Sequence, residues 1–590
     1  MLHARQLFSA CLRLHAVVGC TKAAASQVGR DSIHTYARVR GLSACSVRCG
    51  MSLAFLSSRG CGFGPLSLAG GGNEMAMTFG SLVRANAAKC PSRTAIVFGQ
   101  EQIAYRALDE RSNRLARALK AWGIGKGDKV SLYLTNSPAY FEIFFALAKI
   151  GALPVPIGYR LTPREMKHIV EHSESKALFF SHTLWESLSQ VRSDLGKLTG
   201  DLLISVGSPG TGETVPYDTF VREGSSEDPQ DEVGEDDLFY LAYTAGTTGS
   251  PKGALFTHRA RMLSLVQIVL EYGFNRDDRF LCPGPLYHAA PFAFSFAHLM
   301  MGAQVVLMEH FDPGEVLRII QDEKITTTFM VPTMYNMILS LPEDRKARYD
   351  VSSVRVLVSA AAPLPTRLKE EILAFFPGAA LHEFYGSTEV GIATNLPVNE
   401  QRNRVRSVGL PTYFCEVKVL DSSGREVAKG QEGLVYVRTP AALKEYFKNP
   451  KATESSMLDG WFTNEDIGRL DEDGYLYLVD RKADMVISGG VNIYPAEIED
   501  VLQKHPKILE AAVVGVPDSQ WGETLLAFIV PRPGAEVALE EIVSFCEGKI
   551  ARYKIPRKIQ VVKELPKSPA GKVLKRVLRE PFWKDQEARI

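Results

Sequence analysis

Residues 243–253 read Tyr243-Thr244-Ala245-Gly246-Thr247-Thr248-Gly249-Ser250-Pro251-Lys252-Gly253 and combine three glycines, four serine or threonine hydroxyls and one lysine. They follow the apolar run 238–242, whose length and composition predict a short buried strand. Glycine lets the backbone turn its N–H groups toward an anion, and Lys252 adds a positive charge, so the stretch suits a phosphate group. The spacing G-x-x-x-x-G-K-[ST] of a Walker A loop is absent. A flexible polar turn between two strands is the alternative interpretation.

This stretch resembles the signature of the adenylate-forming superfamily, which includes acyl-CoA synthetases, adenylation domains and luciferases. Ala245 stands where serine is commoner in that family. The resemblance extends from about residue 78 to residue 579 and implies that the loop binds ATP. The ATP-binding residues expected here are Thr244, Ala245, Gly246, Thr247, Thr248, Gly249 and Lys252.

The composition of the chain is that of a globular enzyme with more than one domain. Its 590 residues are 45% hydrophobic and 23% charged, with a net charge of +1. No basic stripe interleaved with aromatic residues is present, which excludes an evident nucleic-acid surface. The nine cysteines show neither CxxC pairs nor a dense disulfide spacing, so an intracellular, reducing compartment is expected.

The first 74 residues differ from the rest of the chain. Residues 1–73 contain eight Lys or Arg, a single acidic residue and five of the nine cysteines. This composition is typical of a mitochondrial transit peptide. A start of the protein near Met75 is the rival interpretation, and it predicts a cytoplasmic enzyme.

Strand and helix patterns alternate from about residue 78. Apolar runs at 94–98, 130–134 and 153–157 predict strands, and helical spacing at 107–122 and 140–150 predicts helices between them. Such alternation favours parallel sheets covered by helices. The apolar run 288–308 contains Pro291 and Gly302, which favours a buried helix followed by a strand over a membrane span. Eight of the fifteen residues 223–237 are acidic, which predicts a solvated surface loop.

A second change in pattern lies at residues 480–484. Beyond it, strands are predicted at 511–516, 525–530 and 558–562 and a helix at 495–502, which favours a small α+β domain on a flexible joint. The resemblance implies an α/β protein whose large N-terminal domain has parallel-rich sheets and a β-barrel-like subdomain, followed by a small mobile C-terminal domain. The predicted divisions are 1–74 (extension), 78–481 (AMP-binding adenylation domain), 482–484 (hinge) and 485–582 (C-terminal domain).

The stretch Glu383-Phe384-Tyr385-Gly386-Ser387-Thr388-Glu389 is the second motif of the resemblance. A carboxylate beside a triphosphate requires a divalent cation between them, so Glu389 is the expected Mg²⁺ ligand, completed by phosphate oxygens and water. Tyr385 can stack on adenine and Thr388 can donate to a phosphate. The ATP-binding residues expected from this stretch are Glu383, Phe384, Tyr385, Gly386, Ser387 and Thr388.

Four further parts of the sequence are expected to border the nucleotide or the acid. The resemblance places Asp466 on the ribose hydroxyls, although Asn464-Glu465 precedes it where the family usually has Thr-Gly. Arg481 would bind ribose or phosphate through its planar guanidinium. The small residues 359–364 would border adenine. His288 follows a predicted strand at a position that the family places beside the acyl carboxylate, whereas a buried core histidine is the alternative.

The C-terminal part supplies residues for both halves of the implied reaction. Lys572, in Pro566-Lys-Ser-Pro-Ala-Gly-Lys572, matches the family's catalytic lysine. Ala483 occupies the family's pivot position, which is often charged. Ser488, Gly489 and Gly490 would let the pantetheine arm of CoA pass the backbone, and Tyr553 would contact the CoA nucleotide.

The implied activity is an acid:CoA ligase. An acid attacks the α-phosphate of MgATP to give acyl-AMP and pyrophosphate, and the CoA thiol then displaces AMP. Catalytic roles fall to Lys572, Lys252, Glu389 and His288. Apolar residues at 292–296 and 390–392 favour a hydrophobic acid, preferably a medium- or long-chain fatty acid. Aromatic or alicyclic acids, another thiol acceptor, and a non-catalytic binding paralogue are the alternatives.

Overall fold

The computed structural model describes residues 76–195, 202–207, 214–244, 251–362, 364–481, 484–488, 491–518, 521–567 and 573–584, without the side chains of Arg481 and Asn492. The predictions for residues 1–74, for 245–249 of the glycine-rich loop, for Ala483, for Gly489 and Gly490, and for Lys572 therefore lie outside the described residues.

Helices and strands alternate in the first part of the chain, as predicted. Its strands are β1 (Thr94–Phe98), β2 (Glu101–Ala104), β3 (Lys129–Tyr133), β4 (Leu153–Pro156), β5 (Ser175–Ser181), β6 (Leu203–Val206) and β7 (Val215–Pro216). Its helices are α1 (Phe79–Lys89), α2 (Tyr105–Ala121), α3 (Pro138–Lys149), α4 (Pro163–Ser173), α5 (Trp185–Ser189), α6 (Arg192–Leu195) and α7 (Tyr217–Arg222). Strands β4, β3, β5, β6 and β7 form one parallel sheet in that order.

The middle of the chain builds a second and larger sheet. The strands of this part of the chain are β8 (Leu238–Thr244), β9 (Lys252–Thr257), β10 (Arg279–Cys282), β11 (Gln304–Leu307), β12 (Thr327–Met330), β13 (Val356–Ser359), β14 (Ala380–Ser387) and β15 (Gly391–Leu396), of which β8 and β9 lie outside the larger sheet. Its helices are α8 (His258–Tyr272), α9 (Ala289–Met300), α10 (Pro313–Asp322), α11 (Pro332–Leu339), α12 (Glu343–Lys346) and α13 (Thr366–Phe375). Strands β1, β11, β10, β12, β13 and β14 run parallel to one another, and β15 reverses direction.

Antiparallel strands continue this sheet beyond β15, in the region where a β-barrel-like subdomain is predicted. They are β16 (Ser407–Pro411), β17 (Glu416–Leu420), β18 (Gly433–Arg438), β20 (Met457–Leu458), β21 (Trp461–Phe462), β22 (Asp466–Leu470) and β23 (Leu476–Arg481), with helix α14 (Pro450–Ser456). The short strand β19 (Glu445–Tyr446) leaves this sheet and pairs instead with β9, which also pairs antiparallel with β8.

The C-terminal part has its own sheet and its own apolar clusters. Its elements are β24 (Val486–Ser488), β25 (Val491–Ile493), α15 (Pro495–Leu502), β26 (Ile508–Asp518), β27 (Gly522–Pro531), α16 (Leu539–Cys546), β28 (Lys558–Val561) and α17 (Lys575–Trp583). One cluster of buried side chains includes Ile498, Val513 and Ile529, and another includes Val514, Phe528 and Leu578. This confirms the α+β character predicted for the region.

Helix α3 lies at the centre of the main core. All twelve of its residues are buried, and Phe144 lies within 6.3 Å of the rings of Tyr140, Phe239, Tyr240, Phe292 and Phe296, measured between centroids. The helix starts two residues earlier than the spacing predicted, because Pro138 occupies its first turn with a backbone angle that already suits a helix.

The apolar run 288–308 forms helix α9 and strand β11, which confirms the predicted helix and strand. None of the described helices is long and apolar enough to span a membrane. Phe292, Phe294 and Phe296 are each at most 1% exposed, and all three are packed into the main core. They form part of the core, and their predicted role toward a hydrophobic acid stays a prediction.

The acidic residues 223–237 form a loop, as predicted, but the loop is not simply solvated. Asp228 pairs with Arg84 at 2.7 Å, Asp231 with Lys120 at 2.8 Å and Asp237 with Lys126 at 2.6 Å. Three of the acidic charges are therefore matched by basic side chains that precede helix α2, lie on it or follow it. Periodicity within the loop carries no information about these partners.

Candidate active site

The glycine-rich stretch connects the two strands of an antiparallel hairpin. Strands β8 and β9 pair along their length, and their last pair joins Thr244 to Lys252. The hairpin geometry brings these two residues to the same edge although seven positions separate them in the sequence. Thr244 and Lys252 thus frame the loop that is predicted to hold phosphates, with the six residues between Thr244 and Pro251 outside the described part.

Glu389 lies in the turn between β14 and β15 and meets the end of this hairpin. Its side chain is buried, and its Oε1 accepts hydrogen bonds from Thr244 Oγ1 at 3.2 Å and from the hydroxyl of Tyr446 at 3.0 Å. The Nζ atom of Lys252 lies 5.2 Å from the centroid of the Tyr446 ring. The structure therefore brings together three residues of two predicted motifs, and Tyr446 joins them.

The donors gathered here fit a magnesium ion bound with a nucleotide. A carboxylate and a hydroxyl are hard oxygen ligands, and Mg²⁺ is commonly held by one or two carboxylates together with substrate phosphates and water. No cluster of three or more His, Cys, Asp or Glu side chains suited to a metal occurs among the residues that the structure describes. A site that uses Glu389 needs the phosphates to complete it, as the sequence motif predicts.

Strand β14 carries the remaining residues of the second motif on its two faces. The ring of Phe384 stacks near Phe294 and Phe329, with centroids 6.0 Å away in each case. Gly386 follows a bulge, and a Cβ atom there would lie 2.0 Å from the carbonyl oxygen of Gly391, so only glycine fits. Ser387 and Thr388 are half-buried at the end of the strand.

Glu383 is directed into the protein. Its carboxylate pairs with Lys369 of helix α13 at 2.5 Å and accepts a hydrogen bond from the backbone N–H of Leu364 at 3.2 Å. Burial raises the pKa of Glu383, and the charge of Lys369 opposes that rise. Glu383 was predicted to bind ATP, but its carboxylate anchors the turn 359–364, which is itself predicted to border adenine.

Asp466 and Arg481 lie opposite each other on the antiparallel pair β22 and β23. Strands β22 and β23 are consecutive in the chain, so two residues that are fifteen positions apart in the sequence become direct neighbours in the sheet. The hydroxyl of Tyr385 donates a hydrogen bond of 2.6 Å to Oδ2 of Asp466. A tyrosine that was predicted to stack on adenine thus also orients the carboxylate that was predicted to bind ribose.

Glu465, which precedes Asp466 where the family usually has glycine, has a left-handed backbone with φ of 61°. Its side chain is exposed, and its N–H donates to Thr463 Oγ1 at 3.0 Å. The family usually places glycine here, and glycine adopts this conformation without strain. The loop therefore keeps the shape that glycine favours even though glutamate occupies the position.

His288 immediately precedes helix α9, and its ring centroid lies 4.2 Å from that of Tyr287. His288 is half-buried and therefore differs from His298 within that helix, which is fully buried and hydrogen-bonded to Phe294 and Thr327. The predicted role of His288 beside the acyl carboxylate stays a prediction.

Of the residues predicted for CoA, two are described. Ser488 ends strand β24, opposite Val491 of β25 and Gly522 of β27. Tyr553 lies in a single 3₁₀ turn, Arg552–Lys554, and is 50% exposed. Both are accessible positions of the C-terminal part, and their role toward CoA stays a prediction.

Tyr446 and Lys369 were not predicted from the sequence. Tyr446 is followed by Phe-Lys-Asn-Pro, which signals only the start of helix α14, and Lys369 is one of several charged residues of α13. Their partners lie 57 and 14 positions away. Because neither contact is local, no periodicity or short motif could have revealed it.

Comparison with known proteins identifies the relatives of this chain. The profile described as AMP-binding enzyme matches residues 83–447, and that described as AMP-binding enzyme C-terminal domain matches residues 497–572. Feruloyl-CoA synthase of Amycolatopsis sp is 36% identical over 496 residues, which cover 83% of this chain and 96% of that protein. The long-chain-fatty-acid–CoA ligase FadD13 of Mycobacterium tuberculosis is 34% identical over 482 residues, covering 82% and 93%. The crystal structure of ATP-bound MatB from Rhodopseudomonas palustris matches with a TM-score of 0.79 at 28% identity, covering 87% of this chain and 99% of that one.

Proposed function

The chain belongs to the family of AMP-binding enzymes and is an AMP-forming acid:CoA ligase, and from this premise we propose that it activates a hydrophobic monocarboxylic acid, preferably a medium- or long-chain fatty acid. The observation that carries the ATP-binding part is the meeting of Thr244, Lys252 and Glu389 at one end of the β8–β9 hairpin. These residues supply a hydroxyl, an ammonium and a carboxylate at the place where the glycine-rich stretch begins.

In the first half-reaction, two anions must approach each other. The carboxylate of the acid attacks the α-phosphate, the bond from that phosphorus to the bridging oxygen breaks, and pyrophosphate leaves. Lys252 lowers the repulsion by placing its ammonium beside the phosphates, and Lys572 would hold the acyl carboxylate and the α-phosphate in line. When bound, Mg²⁺ neutralises charge on the phosphate oxygens, and Glu389 is the residue that would hold it.

Asp466 positions the nucleotide for this attack. Two carboxylate oxygens can accept from the two ribose hydroxyls, and the hydrogen bond from Tyr385 restricts the rotation of that carboxylate. Arg481 stands opposite on the neighbouring strand. The anchored turn 359–364 would then lie against adenine, because Glu383 and Lys369 hold its end.

In the second half-reaction, we propose that the C-terminal part turns about 482–484 and presents Ser488 and its neighbours to the site. The thiol of CoA, in its thiolate form, attacks the carbonyl carbon of acyl-AMP, and AMP leaves with the bonding electrons. Tyr553 would contact the nucleotide of CoA. The proton of the thiol goes to solvent.

The preference for a hydrophobic acid is argued from helix α9. The helix contains no Asp, Glu, Lys or Arg, and its sole ionisable side chain is His298. Burial lowers the pKa of His298 to about 4, so this imidazole is neutral near neutral pH. A helix without a positive charge offers nothing to a second carboxylate, which disfavours dicarboxylic acids such as malonate.

The test is release of AMP by residues 75–590 with MgATP, CoA and a panel of acids. The panel runs from acetate to palmitate and includes benzoate, ferulate, malonate and a steroid side-chain acid. The largest kcat/KM with a medium or long fatty acid is the expected result. A preference for benzoate or ferulate would replace the fatty acid with an aromatic acid, and a preference for malonate would contradict the hydrophobic pocket. Pyrophosphate exchange without CoA turnover would indicate another thiol acceptor.

A further inference from the structure

One short segment, residues 441–447, connects the two predicted motifs through its main chain. The N–H of Leu443 donates to the carbonyl oxygen of Glu389 at 2.7 Å. The N–H groups of Lys444 and Phe447 donate to the carbonyl oxygens of Leu255 and Gly253, also at 2.7 Å. The segment therefore bonds at once to the turn that carries the proposed metal ligand and to the strand that begins with Lys252.

Arg261 anchors the start of this segment. Arg261 of helix α8 is buried, and its Nη2 donates to the carbonyl oxygen of Ala441 at 2.8 Å. Its guanidinium lies 3.8 Å from the ring centroid of Phe256 on β9. The anchor ties the start of the segment to the same hairpin, so the segment has little freedom to move relative to Lys252.

Tyr446 is the side chain that connects the two charged residues. Its exposure is 5%, its hydroxyl donates to Oε1 of Glu389 at 3.0 Å, and its ring faces Lys252 Nζ at 5.2 Å. Thr244 donates to the same Oε1, at 3.2 Å. Among the residues that the structure describes, both of these donors contact Oε1, so Oε2 would be the oxygen offered to a cation.

From these contacts we propose that Tyr446 is a positioning residue, which orients the Glu389 carboxylate and holds the Lys252 ammonium at a set distance from it, so that a metal–nucleotide complex meets both charges at once. This inference rests on the proposed role of Glu389 and Lys252 in binding MgATP. Partners of metal ligands commonly change metal affinity about 10- to 100-fold when removed.

The test uses the variant Tyr446→Phe, which keeps the ring beside Lys252 and removes only the hydroxyl. Binding of Mn²⁺ is measured by electron paramagnetic resonance in the presence of α,β-methylene ATP, which the enzyme cannot cleave at the reacting bond. We expect the affinity for Mn²⁺ to fall about tenfold. The affinity for the nucleotide measured in EDTA should stay within about twofold of wild type, because the cation–π contact, a weak interaction, is retained.

The variant Tyr446→Leu removes the ring as well as the hydroxyl. It should show the same loss of Mn²⁺ affinity and a further loss of about three- to fivefold in nucleotide affinity in EDTA, since Lys252 loses its aromatic neighbour. The matched control is Tyr105→Phe, which removes a buried hydroxyl bonded to the carbonyl oxygens of Leu299 and Ala303. That control should leave both affinities unchanged.

A double-mutant cycle separates positioning from general loosening. If Tyr446 acts through Glu389, then Tyr446→Phe should change Mn²⁺ affinity little in a Glu389→Gln background. Wild-type Mn²⁺ affinity in Tyr446→Phe, or an equal loss in both backgrounds, would overturn the inference. Failure of the wild-type protein to bind the metal–nucleotide complex would instead refute the proposed function, so the two failures are distinguishable.

Discussion

At the scale of single residues, Glu465 is the clearest case of conflict between residue type and backbone. It occupies a left-handed conformation beside the proposed ribose ligand Asp466, with its side chain exposed. For a residue with a Cβ atom, the left-handed conformation is about 1–2 kcal/mol less stable than its preferred conformations. Glycine adopts the left-handed conformation readily.

Replacing this residue should therefore stabilise the protein. We expect Glu465→Gly to raise the free energy of unfolding by up to about 1 kcal/mol, because relief of strain exceeds the added chain entropy of glycine. Denaturant titration measures the change. Glu370→Gly, in the exposed part of helix α13, is the matched control and should lower stability by about 1 kcal/mol. A loss of stability in Glu465→Gly would contradict the assignment of strain.

The pair Lys369–Glu383 is the second feature at this scale. Both side chains are about 93% buried or more, and they lie 2.5 Å apart. Removing one partner leaves an uncompensated buried charge, so Lys369→Met should destabilise the protein by about 3–5 kcal/mol at neutral pH. Protonation of Glu383, whose pKa is already raised by burial, removes that charge, so the loss should shrink as the pH falls.

Denaturant unfolding of this variant at several pH values provides the measurement. The double variant Lys369→Met/Glu383→Gln should recover most of the lost stability, because no buried charge remains. If the single variant were as stable as wild type at neutral pH, the pair would have no structural role. The KM for ATP should rise in the single variant as well, because the turn 359–364 loses its anchor.

At the scale of secondary-structure elements, helix α3 has no exposed face. An amphipathic helix pattern does not apply to it, and its stability derives from packing on all sides. Phe144 contributes the centre of an aromatic cluster that joins α3 to β8 and α9.

Truncation of the Phe144 side chain should strongly destabilise the protein. We expect Phe144→Ala to lower the free energy of unfolding by about 3–5 kcal/mol, through lost burial and the cavity that remains. Leu270→Ala on helix α8, where Leu270 is 47% exposed, should change stability by less than about 1 kcal/mol. Both values come from denaturant titration, and similar effects for the two variants would contradict the central position given to α3.

At the scale of the whole molecule, several buried histidines make stability depend on pH. Burial lowers the pKa of His258 to about 3 and that of His382 to about 4. His258 is completely buried, stacks on Phe239 with centroids 4.7 Å apart, and accepts a hydrogen bond from the N–H of Phe79. Such imidazoles take up a proton in the unfolded chain before they do so in the folded protein, so acidification favours unfolding.

The size of this loss of stability follows from the lowering of the pKa of His258. With an unfolded pKa of about 6.5, His258 alone should reduce stability by roughly 2 kcal/mol between about pH 7.5 and about pH 5. Unfolding titrations at the two pH values should show that difference for wild type and a smaller one for His258→Gln. His310→Gln, at an exposed position, is the control and should retain the wild-type dependence. An unchanged dependence in His258→Gln would exclude this imidazole as its source.

Much of the architecture of the whole molecule could be predicted from local patterns. The strands at 94–98, 130–134 and 153–157 and the helix at 495–502 were found within two residues of their predicted positions, because strand and helix periodicity depends on neighbouring residues. The acidic loop shows the limit of such patterns: its composition indicated solvent, while three of its basic partners, on and around α2, lie more than 100 positions away.

The sequence by itself determined the α/β class, the family and the residue types expected at a nucleotide site, since each of these is written within a short window of the chain. The tertiary structure alone decided that Thr244 and Tyr446 donate to the same oxygen of Glu389, from 145 and 57 positions away. It also decided that Glu383 is held by Lys369 and that Tyr385 orients Asp466. The physical reason is that such contacts depend on strand order and register, which bring distant residues together only when the sheets are complete.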